Sequence, residues 1–73
     1  MSEFKYEVVK ELGVLSESPT GWTKELNLIS YNDKAPKYDI RDWAPGRSKM
    51  GKGVTLSADE LILLRDMLGE IDI

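Results

Sequence analysis

Residues 37–43 read KYDIRDW, residues 54–56 read VTL, and SADELILLRDML follows at once over 57–68. In the first run Tyr38 and Ile40 alternate with Lys37, Asp39, Arg41 and Trp43, the period of two that marks a strand with two unlike faces. A loop containing Pro, Gly and Lys, Ala44–Gly53, separates it from a short strand at Val54–Leu56. The third run changes period. Ser57 and Glu60 supply the S-x-x-E of a capping box, whose side chains satisfy amides at a helix start, and Gly69 marks a stop. Leu61, Leu63, Leu64, Met67 and Leu68 then cover an arc of about 160°, wider than the roughly 100° stripe a helix needs to rest on one sheet. Strands followed by one helix with a surplus apolar stripe set the class as α+β.

Toward the N-terminus, residues 4–15 alternate as well. Phe4, Tyr6, Val8, Leu12 and Val14 fall on one side, Lys5, Glu7 and Glu11 on the other, and Gly13 is the expected place for a bend. Ser16–Gly21 carries turn chemistry, and a second strand runs from Trp22 to Tyr31. There Leu26 and Leu28 share a face with Trp22 while Ile29 and Tyr31 point the other way, which predicts either two occupied faces or a bulge. Asn32–Pro36 forms the next turn. No repeat or linker interrupts residues 1–73, which read as a single domain: a four-stranded antiparallel sheet with one C-terminal helix. A chain of this length buries only about 60% of its surface on folding, and with no Cys it has no disulfide to help. Oligomerisation is the remaining staple, so the wide helix stripe predicts a homodimer joined through Leu61, Leu64, Met67 and Leu68.

The absence of both Cys and His removes zinc sites, Ser-His and Cys-His nucleophiles and thiol redox chemistry. Asp39 and Asp42 lie on opposite faces of their strand, and no nucleophile stands with a base. The expectation is a protein that is not an enzyme, with no cofactor, metal or small-molecule substrate. No apolar run approaches 18 residues and the N-terminus lacks the apolar core of a signal peptide, which predicts a cytoplasmic, non-membrane protein.

A net charge of −3, taken alone, argues against nucleic acid. The distribution argues the other way: residues 37–52 hold five basic and two acidic side chains, net +3, leaving −6 on the rest, and a ligand meets the local field. Lys37, Arg41 and Trp43 share the polar face of their strand. Tyr31 ends the preceding strand on the face opposite Leu26 and Leu28. Cations beside aromatics on an open sheet face suit single-stranded nucleic acid, which needs phosphate contacts and platforms for unpaired bases. Lys49 and Lys52, spaced among glycines, add charge where backbone amides are accessible to an anion, although the run is neither a Walker A nor a dinucleotide-binding loop. On the residues alone other readings stay open: rings that only pack the rim, a single-stranded RNA binder, or a protein-interaction module using a sheet edge or the apolar helix.

K-Y-D-I-R-D-W, a basic Pro/Gly loop, and K-G-V-T-L-S before a capped helix together resemble the single-stranded-DNA-binding domain of the transcriptional positive cofactor four family. E-V-V-K-E-L-G-V-L-S-E, G-W-T-K-E-L-N and S-Y-N-D resemble its small bacterial YdbC-type branch. The resemblance implies a homodimer of curved four-stranded antiparallel sheets with the helix at the interface, each sheet offering a groove for single-stranded DNA with little sequence preference. It implies a coactivator-like role in transcription regulation, or work in replication or repair, in the cytoplasm or at the nucleoid. Carried over by position, it implies nucleic-acid contacts at Arg41, Trp43, Tyr31 and Lys52, with Lys24 and Lys37 as looser matches and Trp22 as a feature of the branch. Two departures stand out: the turn Asn32–Pro36 holds only Lys34 where the family has a basic turn, and the eukaryotic serine-rich regulatory extension has no counterpart.

Overall fold

The computed structural model describes residues 4–73. Strands β1 (Tyr6–Glu17), β2 (Thr23–Tyr31), β3 (Lys37–Trp43) and β4 (Met50–Leu56) form a meander in that order, each antiparallel to its neighbour, and helix α1 (Ala58–Leu68) follows. This is the expected four-stranded sheet with one C-terminal helix. The capping box is present: Ser57 Oγ accepts from Glu60 N at 3.1 Å and Glu60 Oε1 from Ser57 N at 2.8 Å.

β3 has the expected bounds, but β4 starts at Met50 rather than Val54, and the loop shrinks to Ala44–Lys49 around one turn at Pro45–Arg47. The glycines that read as loop residues are instead places of close approach. A Cβ at Gly53 would lie 2.5 Å from Cβ of Arg41 and 2.6 Å from the carbonyl oxygen of Ile40. One at Gly51 would lie 3.0 Å from Cζ3 of Trp22.

β1 departs further from its expected regularity. Rather than one bend at Gly13, its register slips three times, setting Val9, Leu12 and Leu15 as extra residues against β2. Each bulge shifts the alternation by one and adds twist. Tyr6, Val8, Glu11 and Val14 therefore share a face, opposite Tyr31, Ile29, Asn27 and Glu25, and Leu12 does not join Tyr6 as strict alternation predicts. β2 pairs with β3 without a slip, so its change of apolar phase reflects two occupied faces.

Tyr6 pairs with Tyr31 and Trp43 with Thr23, at opposite ends of β2, about 26 Å apart on a flat strand. Their rings nevertheless lie 5.6 Å apart. The sheet is curved, and the face carrying both rings is concave. Burial is complete on that face, at Ile29, Trp43, Asn27 and Asp39. The convex face carries Leu26, Leu28, Tyr38, Ile40 and Val54, and α1 touches it at β3 and β4. Here burial is partial. Leu15, Leu26, Ile40, Leu61, Leu64 and Leu68 line an open apolar cleft of about 440 Å³, while Leu63 and Met67 stay 58% and 61% exposed. The accessible surface is 5704 Å², against about 4,600 Å² for a compact chain of this mass. The radius of gyration is 13.6 Å, against about 11 Å. No helix is long and apolar enough to cross a membrane.

Candidate nucleic-acid interface

One end of the concave face is an aromatic shelf. The Phe4 ring centre lies 6.2 Å from that of Tyr6 and 5.9 Å from that of Tyr31; Phe4 and Tyr6 are exposed and Tyr31 is half-buried. The β2–β3 turn holds Phe4 in place. Asn32 and Asp33 adopt left-handed φ of 51° and 62°, a region their short polar side chains tolerate. In that conformation Asn32 Oδ1 accepts from Lys5 N at 3.0 Å, Asn32 N donates to Lys5 O at 2.9 Å, and Asp33 pairs with Lys5 Nζ at 3.0 Å.

Tyr31 is fixed from below. Its hydroxyl donates to Asp39 Oδ2 at 2.8 Å, and burial, then that bond to a carboxylate, push the phenol up to about 12. Asp39 is wholly buried and also accepts from Arg41 Nε and Nη2 at 3.0 and 2.9 Å. Arg41 Nη1 donates to the carbonyl of Gly51 at 2.9 Å, and the guanidinium carbon lies 6.0 Å from the Tyr31 ring centre. The bonds to Asp39 raise Arg41 above its ordinary value. A buried charge needs a partner and hydrogen bonds, and Asp39 has both. Arg41 is thus committed to the protein's own carboxylate and a carbonyl, rather than presented as an open phosphate clamp.

Trp43 departs from the expectation of an open ring, because curvature closes the concave face over it. The side chain is fully buried, with Tyr6 at 5.6 Å and the Arg47 guanidinium at 5.7 Å from its ring. Arg47 Nη2 donates to Glu25 Oε1 at 2.8 Å and to Glu11 Oε1 at 2.6 Å. Burial pushes the Glu25 carboxyl up, but hydrogen bonds from Thr23, Arg47 and Asn27 outweigh it and hold the group below its ordinary value. Glu25 and Glu11 in turn raise Arg47.

The remaining predicted residues divide between the faces. Lys37 is exposed on the concave face, opposite Ile29, and with Tyr31, Lys34, Ala35 and Thr55 lines a hollow of about 170 Å³. Lys24 pairs with Asp42 on the convex side, away from Tyr31. The register slip between Arg41 and Trp43 sets Gly51 and Lys52 against Asp42, so exposed Lys52 sits with Lys24 rather than with Arg41. Half-buried Trp22 is at the same end, close to Gly51, and Lys49 is exposed in the turn before β4. The structure therefore brings Tyr31, Lys37, Arg41 and Trp43 together and sets Trp22, Lys24 and Lys52 apart from them. It adds Phe4, Tyr6, Lys34 and Arg47, which the sequence reading left out of the site. The pairing of Tyr6 with Tyr31 across 25 residues is the signal for the first two, and three bulges hide it. Among the described residues the three arginines are all in ion pairs with carboxylates, whereas Lys10, Lys24, Lys34, Lys37, Lys49 and Lys52 are in none.

The sequence profile of the transcriptional coactivator p15 (PC4) family matches residues 18–67, which hold all of β2, β3 and β4 and most of α1. An uncharacterised protein of Treponema pallidum (strain Nichols) is 51% identical over 71 residues, covering 97% of this chain and 84% of that protein. With K-Y-D-I-R-D-W on β3, K-G-V-T-L on β4 and the capped helix behind them, the chain belongs to the transcriptional coactivator p15 (PC4) family.

Proposed function

We propose that the chain binds single-stranded DNA with little sequence preference, as a cytoplasmic homodimer, by stacking bases on the concave face and neutralising phosphates with its lysines. Membership in a coactivator family supports a role in handling opened DNA during transcription, replication or repair. The observation that carries the reading is the shelf of Phe4, Tyr6 and Tyr31 beside Lys34 and Lys37. Each stacked base contributes about 1–3 kcal/mol, and duplex DNA hides the base faces such rings would meet. The unpaired lysines can take phosphates at no cost in internal ion pairs, whereas Arg41 would first have to leave Asp39. Lys49, exposed in the turn before β4, adds a further cation at the other end of the sheet.

The dimer reading has its own support. The chain as a whole exposes about 1,100 Å² more than a compact chain of its mass, above the roughly 800 Å² per partner of a standard interface, and Leu63, Met67 and Leu68 of α1 are among its exposed apolar side chains. Packing two convex faces through Leu61, Leu64, Met67 and Leu68 leaves both concave faces open. Fluorescence anisotropy with labelled 20-mers at two salt concentrations tests the binding. The expected outcome is single-strand affinity at least tenfold above duplex, with a log–log salt slope of about −0.7 per phosphate contacted. Equal affinity for both forms would leave phosphates doing all the binding and remove the stacking argument. A matched RNA competitor that displaced the DNA at equal concentration would widen the ligand to either sugar.

A further inference from the structure

Trp43 is the ring of the site that the fold closes, and its cover is held by opposing forces. Arg47 sits at φ 57° next to Gly46 at φ 65°. The left-handed region is free for glycine but strained for arginine. Arg47 Nε and Trp43 Nε1 are buried without a hydrogen-bond partner among the described residues, and a buried donor left unpaired costs more than a made bond contributes. Against these stand the two ion pairs to Glu25 and Glu11. The Glu11 side chain is itself 71% exposed, so solvent screens that arm. Glu25 keeps Thr23 and Asn27 as donors if Arg47 leaves. The tip of the turn faces open space: a Cβ at Gly46 would meet no atom within 4 Å. An open hollow of about 400 Å³ lies beside it, bounded by Glu11, Thr23, Glu25 and the turn itself.

We propose that Arg47 is a displaceable cover for a latent base-stacking subsite. When a single strand enters the concave face, the guanidinium leaves the Trp43 ring for a phosphate, and a nucleobase takes its place on the indole. The proposal rests on the single-strand reading above and adds a gate to it. Arg47 trades two carboxylates, solvated Glu11 and nearly buried Glu25, for a phosphate, all charge-assisted partners. The cost falls on Glu25, which loses its cation and keeps the hydrogen bonds from Thr23 and Asn27. Arg47 relaxes its backbone, and the indole N–H gains access to acceptors on the strand. A flat ring replaces a flat guanidinium, so the stacking area on Trp43 is kept.

The test uses the full chain carrying Trp22→Phe, which leaves Trp43 as the sole tryptophan, and an oligothymidylate 20-mer as probe. The free protein should show emission shielded from acrylamide. Titration should quench that emission by at least half, in step with the anisotropy of a labelled strand. A second variant, Arg47→Met with Glu25→Gln, removes one charge of each sign and leaves no buried carboxylate without its cation. It should make Trp43 several-fold more sensitive to acrylamide before DNA is added and tighten binding threefold or more, although a cation has been lost. Binding by anisotropy with Trp43 emission unchanged would overturn the cover while leaving the single-strand reading intact. Absence of binding would overturn both. Should the double variant fail to fold, the quench in the Trp22→Phe protein still decides.

Discussion

Asp39, wholly buried, accepts from Tyr31 and from Arg41, so three side chains on the concave face stand or fall together. The linkage has a sign that can be read in alkali. The folded state holds the Tyr31 phenol protonated, with its ionisation pushed from 10 up to about 12. Stability from this group is complete below pH 10 and is lost as pH climbs from 10 toward 12. Urea midpoints measured at pH 9 and pH 11 should therefore fall in the native sequence, and fall less in Tyr31→Phe. An equal fall in both would mean that the phenol ionises in the folded groove as readily as in the unfolded chain. Trp43 gives a second residue-scale outcome. Truncating a fully buried aromatic costs about 3–5 kcal/mol, so Trp43→Ala should show a large loss in urea unfolding, whatever it does to DNA affinity. A loss under 1 kcal/mol would mean that the ring is not closed in as described. Alternation along KYDIRDW correctly placed Trp43 with Lys37 and Arg41, and Tyr31 opposite Leu26. It was silent on exposure, because period-two alternation identifies a face without saying whether that face is flat or curled.

The elements were legible where their signals are local. The capping box, the bounds of β3 and the change of phase in β2 all depend on residues within a few positions of one another. β1 and β4 were not, because their form is set by what they pair with. Leu12 looks like a partner of Tyr6 until register slips against β2 carry it to the other face. Met50–Gly53 looks like a loop until Gly53 is seen against the backbone of Ile40 and Arg41. The second case yields a test. Ala would be harmless in an open loop, but a Cβ 2.5 Å from that of Arg41 has no room, and both neighbours belong to β3. Gly53→Ala should separate β4 from β3 locally and destabilise the chain by about 1–3 kcal/mol, the usual range for overpacking. Hydrogen exchange should locate the loss in Met50–Leu56. Unchanged protection there would return the segment to the loop reading.

At the scale of the whole molecule, burial and hydrophobicity are displaced from one another. The concave face buries charges and amides, while Leu26, Ile40, Leu61 and Leu64 on the convex side are only half covered. A protomer in water would gain by covering that side, and the cleft between the sheet and α1 already presents leucines from three elements plus Ile40. At about 25 cal/mol per Å² of apolar surface, burying an apolar area of about 1,100 Å² would contribute on the order of 27 kcal/mol before the costs of association, more than the roughly 5–15 kcal/mol of net stability typical of a domain. Folding and association are then a single process, and no stable folded monomer is expected. Sedimentation equilibrium at micromolar concentration should give a mass of two chains. Leu64→Glu places a charge in the middle of the cleft, where it would be desolvated without a partner. That variant should unfold, and its circular dichroism should lose strand and helix signal together. A Leu64→Glu protein that stayed folded as a monomer would separate folding from association. A native chain that sedimented as a folded monomer would remove the dimer altogether and leave the convex face to be covered by a different partner.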